Sequence, residues 1–166
     1  MPVYISLLRG INVGGHKKIK MAELRALYES LGLENVQSLL QSGNVVFTSK
    51  IEDSRSLVQK IEDGIEGQFE FRCRVLIRTT NELQRVIDQN PFLGRDPFDP
   101  SKMLVMFLAD VPESGALDAL REAHGGPEEI QLAGEEAYIY YPNGLGRSKL
   151  SNVFIEKKLK DRKSVV

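Results

Sequence analysis

Arg9, Gly10, Asn12, Gly14, Gly15, Lys17 and Lys18 fall within one ten-residue stretch near the N-terminus. The first 22 residues hold four Lys or Arg and no acid. Glycines let backbone N–H groups turn toward one point, and such a nest beside Lys and Arg favours an anion. Ser42, Gly43 and Asn44 make a second polar turn with a glycine. The spacing Gly10-x-x-x-Gly14-Gly15 matches neither the dinucleotide fingerprint nor a P-loop, because no Ser or Thr follows the lysines. Glycines of this kind also serve plain turn geometry, with the lysines on a solvated rim. A third stretch, Gly144-Leu145-Gly146-Arg147-Ser148-Lys149, precedes the last expected helix, where backbone amides again suit an anion. Its plainer reading is a β-to-α turn with surface charges.

Other chemistries find no residues. Cys73 is the single cysteine, which excludes an intramolecular disulfide and a Cys-rich zinc site. His16 and His124 stand far apart, and no nucleophile-elbow sequence is present. No catalytic residue, metal or cofactor is assigned. Cys73 reads as inert core and His124 as a helix-end residue favouring the helix dipole.

The elements that must hold these residues follow from periodicity. Residues 3–8 read as a buried strand, and Met21, Leu24, Leu27, Tyr28 and Leu31 as a helix stopped by Gly32. Residues 36–41 and 44–48 read as a hairpin about Ser42-Gly43. A second helix opens at Asp53 or Ser54. Phe71, Cys73, Val75 and Ile77 alternate with Arg72, Arg74 and Arg78 as a half-buried fourth strand. In a split βαβ sheet the third strand lies between the first two, so residues 9–18 emerge beside the Ser42–Asn44 turn. The strand-four arginines, with Tyr4 and Ser6, would then line an open sheet face of the kind that binds single-stranded RNA, or bridge to the second half. Thr79-Thr80-Asn81-Glu82 fits a capping box for a further helix.

Residues 1–80 thus read βαββαβ. Residues 81–102 read as a helix and a linker with Pro91, Pro97 and Pro100, and residues 103–166 as βαββα. The expected class is α+β: two ferredoxin-like subdomains by duplication, the second lacking its final strand. The other reading is one irregular α+β domain.

The 166 residues are 42% hydrophobic and 27% charged, a globular composition. Lys plus Arg number 22 against 23 acids, so overall charge points to no polyanionic partner. Charge is uneven all the same. Residues 110–136 hold eight acids and only Arg121 as a base, and residues 147–163 hold seven bases against Glu156 and Asp161. The N-terminal apolar run reads as a strand and not a signal peptide, and no stretch approaches the roughly 18 apolar residues of a membrane span. With the lone thiol, a cytoplasmic protein without a membrane partner is expected.

Leu8-Arg9-Gly10-Ile11-Asn12-Val13-Gly14-Gly15, Met21-Ala22-Glu23-Leu24 and Gln41-Ser42-Gly43-Asn44-Val45-Val46-Phe47 resemble domain-of-unknown-function family 1697. So do Arg78-Thr79, Asn90-Pro91-Phe92 and Gly146-Arg147-Ser148-Lys149-Leu150. The resemblance spans nearly the whole chain. It implies a bacterial-type cytoplasmic protein of two ferredoxin-like subdomains and no assigned activity. Members of that family usually continue past the start of the last helix with a Thr-x-Arg-Asn segment, often followed by Trp. Here the chain reads Lys160-Asp161-Arg162-Lys163-Ser164-Val165-Val166, so a site shared with that segment is not expected.

The expected function is a non-catalytic binding module for a phosphate-bearing ligand or nucleic acid, held near residues 9–18 and the Ser42–Asn44 turn. Two alternatives stand beside it. One is an enzyme on a small phosphorylated substrate, with Lys17, Lys18 or Lys149 as electrostatic clamps. The other is a protein-interaction domain that pairs sheet faces or edges.

Overall fold

Short apolar runs bounded by turn residues build the first half. In β1 (Val3–Leu8) alternate residues take opposite faces. Tyr4, Ser6 and Leu8 turn toward the helices while Ile5 and Leu7 face the other way, and all five are buried. The computed structural model describes residues 1–159 and divides into two compact units, Met1–Gln84 and Arg85–Val166. Among the described residues it holds two sheets and five α-helices.

The first unit runs β1, α1 (Met21–Ser30), β2 (Glu34–Leu39), β3 (Asn44–Thr48), α2 (Ser54–Phe69) and β4 (Val75–Thr79). Its strand order is β2-β3-β1-β4, every neighbour antiparallel. Leu7 near the end of β1 pairs with Asn44 at the start of β3, so the loop leaving β1 and the β2–β3 turn share one end of the sheet. Leu24, Leu27 and Tyr28 of α1 and Leu57, Ile61 and Ile65 of α2 cover one sheet face, against Val45, Phe47, Val75 and Ile77. Each such burial is worth roughly 1.5–3 kcal/mol. A polar pair in this layer, Ser6 Oγ and Tyr28 Oη at 2.9 Å, is mutually satisfied. Burial holds the Tyr28 hydroxyl above its ordinary pKa despite that bond.

Three expectations are corrected here. The hairpin turn spans four residues, because β2 ends at Leu39 and Leu40 and Gly43 both take positive φ (58° and 79°). The fourth strand starts at Val75 and not at Phe71. Glu70 ends α2 in the left-handed conformation, and Arg72 and Arg74 are drawn to Glu66 and Glu62 of α2, at 3.0 and 3.4 Å. The open basic face is absent as well. Tyr4 and Ser6 face the helices, and Arg78 is buried on the opposite face with Ile5, Leu7 and Leu76. A face closed to solvent at these strands offers no platform for stacked bases.

α3 (Thr80–Asp88) crosses the division between units. Its start is the expected capping box: Thr79 N–H donates to Glu82 Oε2 at 2.7 Å, and Glu82 N–H to Thr79 Oγ1 at 3.2 Å. The second unit continues with a 3-10 turn (Pro100–Lys102), β5 (Met103–Phe107), α4 (Ala116–His124), β6 (Glu129–Ala133) and β7 (Glu136–Tyr140). A 3-10 turn (Leu145–Arg147) and α5 (Asn152–Leu159) follow. The sheet order is β5-β7-β6, again antiparallel. Met106, Ile130, Ala137 and Ile139 pack with Leu120 of α4 and Ile155 and Leu159 of α5. The other face carries Tyr138 and Tyr140 against Phe92, Phe98 and Val86.

The proline-containing segment read as a linker is therefore packed into the second unit. Phe92 is buried, Phe98 stacks on Tyr140, and Arg95 lies over the Tyr140 ring while paired with Glu129. Apolar anchors outweigh the breaking tendency of Pro91 and Pro97 in fixing this stretch. The segment after α5, residues 160–166, and the question of a final strand there lie outside the described residues.

Candidate functional site

The two polar turns of the first unit do meet, and the contacts that join them are specific. Asn12, at φ 55°, sends its side-chain amide to the carbonyls of Ile19 (3.0 Å) and Gln41 (2.8 Å). Its Oδ1 accepts from Ile19 N–H at 2.9 Å. One side chain thus closes the loop after β1 on itself and ties it to the β2–β3 turn. Gly43 completes the join: a Cβ there would stand 2.4 Å from Ile11 Cδ1 and 3.0 Å from Leu8 Cβ. Only hydrogen fits between those atoms. Within the loop, Asn12 N–H bonds to Lys17 O (3.1 Å) and His16 N–H to Val13 O (3.1 Å), a tight turn over Gly14-Gly15. Arg9 N–H bonds to Arg74 O at 2.9 Å, anchoring its root.

Asn12 and Gly43 thus position the loops, and their groups are committed. Lys17 points away from the join, donating from Nζ to the Arg72 carbonyl (3.0 Å) and lying 5.9 Å from the Phe71 ring centre. Gly10, Gly14 and Gly15 are exposed and left-handed at φ 66°, 60° and 78°. Lys18 and Ser42 are exposed, while Arg9 and Asn44 are half-buried. Cys73 lies beneath the loop, and burial pushes its thiol up to about 11, so it is neutral at physiological pH.

A cleft of about 240 Å³ lies beside this region, lined by Gln59, Glu62, Asp63 and Glu66 of α2 with Arg72, Cys73 and Arg74. Its charges answer one another: Arg72 to Glu66, Arg74 to Glu62, and Gln59 Nε2 to Asp63 at 2.7 Å. Glu62 also accepts the Val75 N–H at 3.0 Å, holding the start of β4 against α2.

The third expected stretch does not form a helix-start anion site. Arg147, Ser148 and Lys149 lie in and just after the 3-10 turn, and α5 is capped instead by Ser151, whose Oγ accepts from Phe154 N–H at 3.2 Å. Ser148 Oγ donates to the Glu128 carboxylate, so its proton is committed to an acid. Arg147 and Lys149 are exposed. Sequence reasoning missed the group that organises this end of the second unit. Glu128 Oε2 lies at hydrogen-bond distance from His124 Nε2, and both side chains are nearly buried (7% and 11% exposed). Gly126 lies close beside this pair, so a Cβ there would push the ends of the His124 and Glu128 side chains aside. The signal was present as an acid four residues past a helix-terminal histidine, across Gly125-Gly126-Pro127. Burial pushes the Glu128 carboxyl upward, and the bonds from Ser148 and His124 outweigh it, leaving its pKa below the usual value.

Among the described residues no three His, Cys, Asp or Glu come together as a metal site, and no helix is long and apolar enough to cross a membrane. The chain is similar to a solved structure, the conserved bacterial protein SP0830 from Streptococcus pneumoniae. The two are 27% identical with a TM-score of 0.64, over 94% of this chain and 81% of that one. A comparison with curated proteins gives no match. The Arg9–Gly15 loop, the Gln41–Phe47 turn and strand, and most of the second unit fall within residues 1–138, which match the model of the family described as "Protein of unknown function (DUF1697)"; the chain belongs to that family.

Proposed function

We propose that the first unit is a binding module for a phosphate-bearing ligand, taken at the sheet end where residues 9–18 meet the β2–β3 turn. One observation carries the reading: two glycine-bearing polar loops are tied together by Asn12 and by the Gly43–Ile11 contact, in a stretch with four bases and no acid before Glu23. Fixed donors beside positive charge lower the ordering cost of binding an anion. Arg9, Lys18, Ser42 and Asn44 and the backbone of Gly10, Gly14 and Gly15 are the ligand-side groups. Asn12 and Gly43 act as positioning residues, and Lys17 sits at the margin. No acid–base pair accompanies the loops, which favours binding over turnover.

The test is a thermal-shift panel of inorganic phosphate, nucleotides, phosphosugars and short oligonucleotides. A phosphate compound raises the midpoint by several degrees, and Arg9→Ala and Lys18→Ala each reduce the shift. Binding weakens with salt, steeply if several phosphates are engaged at once, as with an oligonucleotide. An unchanged midpoint across the panel overturns the reading.

The same proposal takes the two units as copies of one ferredoxin-like unit in a bacterial cytoplasmic protein. Its support is the shared order β-α-β-β-α, with the third strand between the first two in each sheet, together with the lone neutral thiol and the bacterial neighbour.

A further inference from the structure

We infer that this same end of the first unit is a peripheral membrane-contact surface that seats on an anionic phospholipid leaflet. Its charge component rests on the anion-binding reading above, while its hydrocarbon component rests on separate observations. Val13, Leu39 and Leu40 are exposed by 66%, 64% and 77%, which is unusual for three aliphatic residues at one end of a sheet. Val13 and Leu40 adjoin the residues of the Asn12–Gln41 bond (2.8 Å), so the two segments present their side chains from tied backbones. Leu40 even takes a left-handed φ of 58°, where glycine or asparagine would be the economical choice for a solvated turn. The loop that carries Val13 also carries Arg9 and the exposed Lys18, with Lys17 at the margin on the Arg72 carbonyl and Lys20 paired to Glu23 at 3.9 Å. Long basic side chains reach headgroup phosphates while their stems lie along hydrocarbon. Aliphatic insertion combined with a basic rim is the two-signal pattern of surface attachment. No described helix could span the bilayer, so the contact is superficial.

Other macromolecules fit these residues less well. Residues 9–20 and 39–44 include no Phe, Tyr or Trp, so a nucleic-acid strand would find only His16 and Arg9 there to stack on. Protein hot spots favour Trp, Tyr and Arg, with Leu and Val under-represented.

The experiment is co-sedimentation of the full chain with phosphatidylcholine vesicles, with and without about one-third phosphatidylserine, at low and high salt. The double variant Leu39→Ser/Leu40→Ser and the single variant Lys18→Ala are compared with the parent. Because both leucines are exposed, the double variant keeps its fold, which circular dichroism and an unchanged melting midpoint check. The parent partitions onto the anionic vesicles and far less onto neutral ones, the double variant binds at least about tenfold more weakly, and salt and Lys18→Ala both weaken binding. Absence of binding to anionic vesicles overturns the inference, as does binding that the double variant leaves unchanged. Tight binding of an oligonucleotide with none to vesicles also overturns it. Inorganic phosphate in the thermal-shift assay separates the two readings. A phosphate shift without vesicle binding sinks the membrane inference and leaves the anion site standing. Equal binding to neutral and anionic vesicles with no phosphate shift sinks both.

Discussion

Asn12 makes three hydrogen bonds with one amide, joining Ile19 and Gln41 across two loops. Asn12→Ala leaves the Ile19 N–H and carbonyl without these partners, and a loss of about 1–3 kcal/mol is expected in urea denaturation. Loop amides near Ile19 should also exchange faster with solvent. Gly43 and Gly15 make a sharper pair, because both have positive φ (79° and 78°) yet only Gly43 is crowded. Gly15→Ala should cost roughly 1–2 kcal/mol, the strain of a left-handed alanine alone. Gly43→Ala adds overpacking against Ile11 and Leu8, a further 1–3 kcal/mol or so. Equal costs for the two would show that the Gly43–Ile11 contact does not constrain the turn. These residues were legible from sequence as polar and glycine-bearing turns, and their meeting followed from strand order. The contacts by which Asn12 and Gly43 hold the two loops together were not legible. A sequence shows that Asn12 has donors and an acceptor, but the carbonyls of Ile19 and Gln41 claim the donors and the Ile19 N–H claims the acceptor. Lys17, turned to the Arg72 carbonyl, was hidden for the same reason.

At the scale of elements, the ends of helices were readable and the start of one strand was not. The Thr79–Glu82 box and the Asp53 cap on α2 rest on contacts three residues apart, which spacing reveals. Thr79→Ala should destabilise the protein by about 1 kcal/mol in urea denaturation, with Thr79→Ser recovering most of the loss. The start of β4 depends on contacts from elsewhere. The alternation through Phe71, Cys73, Val75 and Ile77 is real, but Glu62 and Glu66, one helical turn apart on α2, draw Arg74 and Arg72 aside. Glu62 also accepts the Val75 N–H, so Glu62→Gln is expected to loosen the first residues of β4. Faster hydrogen exchange at Val75, with Ile77 unchanged, would register that local effect. The linker reading failed similarly. Three prolines suggest a spacer, yet the decisive residues are Phe92, Phe98 and Arg95, which find Tyr140 only once β7 is in place.

For the whole molecule, each unit has its own buried core, so a perturbation inside one should be read out mainly there. Glu128 is suited to this test because its effect depends on pH in a known sense. An unfolded glutamate titrates near 4.3, and in the folded second unit Glu128 titrates below its ordinary value because Ser148 and His124 hold the charged form against the opposing effect of burial. A carboxyl with a depressed folded pKa contributes stability that is fully present above the unfolded value. That contribution is lost as pH falls through the folded one. The second unit should therefore loosen on acidification below about pH 4.5, where protons bind the unfolded state more readily. Glu128→Gln removes the acceptor charge next to His124 and Ser148 and should cost about 1.5–3 kcal/mol at neutral pH. The cost should shrink as pH falls, since the parent loses the same charge. Hydrogen exchange followed by peptide mass spectrometry reads the location directly, which suits a chain with no tryptophan. Peptides from α4, β6 and α5 should exchange faster in the variant, while those from β1 and α2 keep their protection. Equal acceleration in β1 and α2 would mean that the two cores unfold as one cooperative body. The loops proposed to bind an anion in the first unit would then depend on an acid in the second.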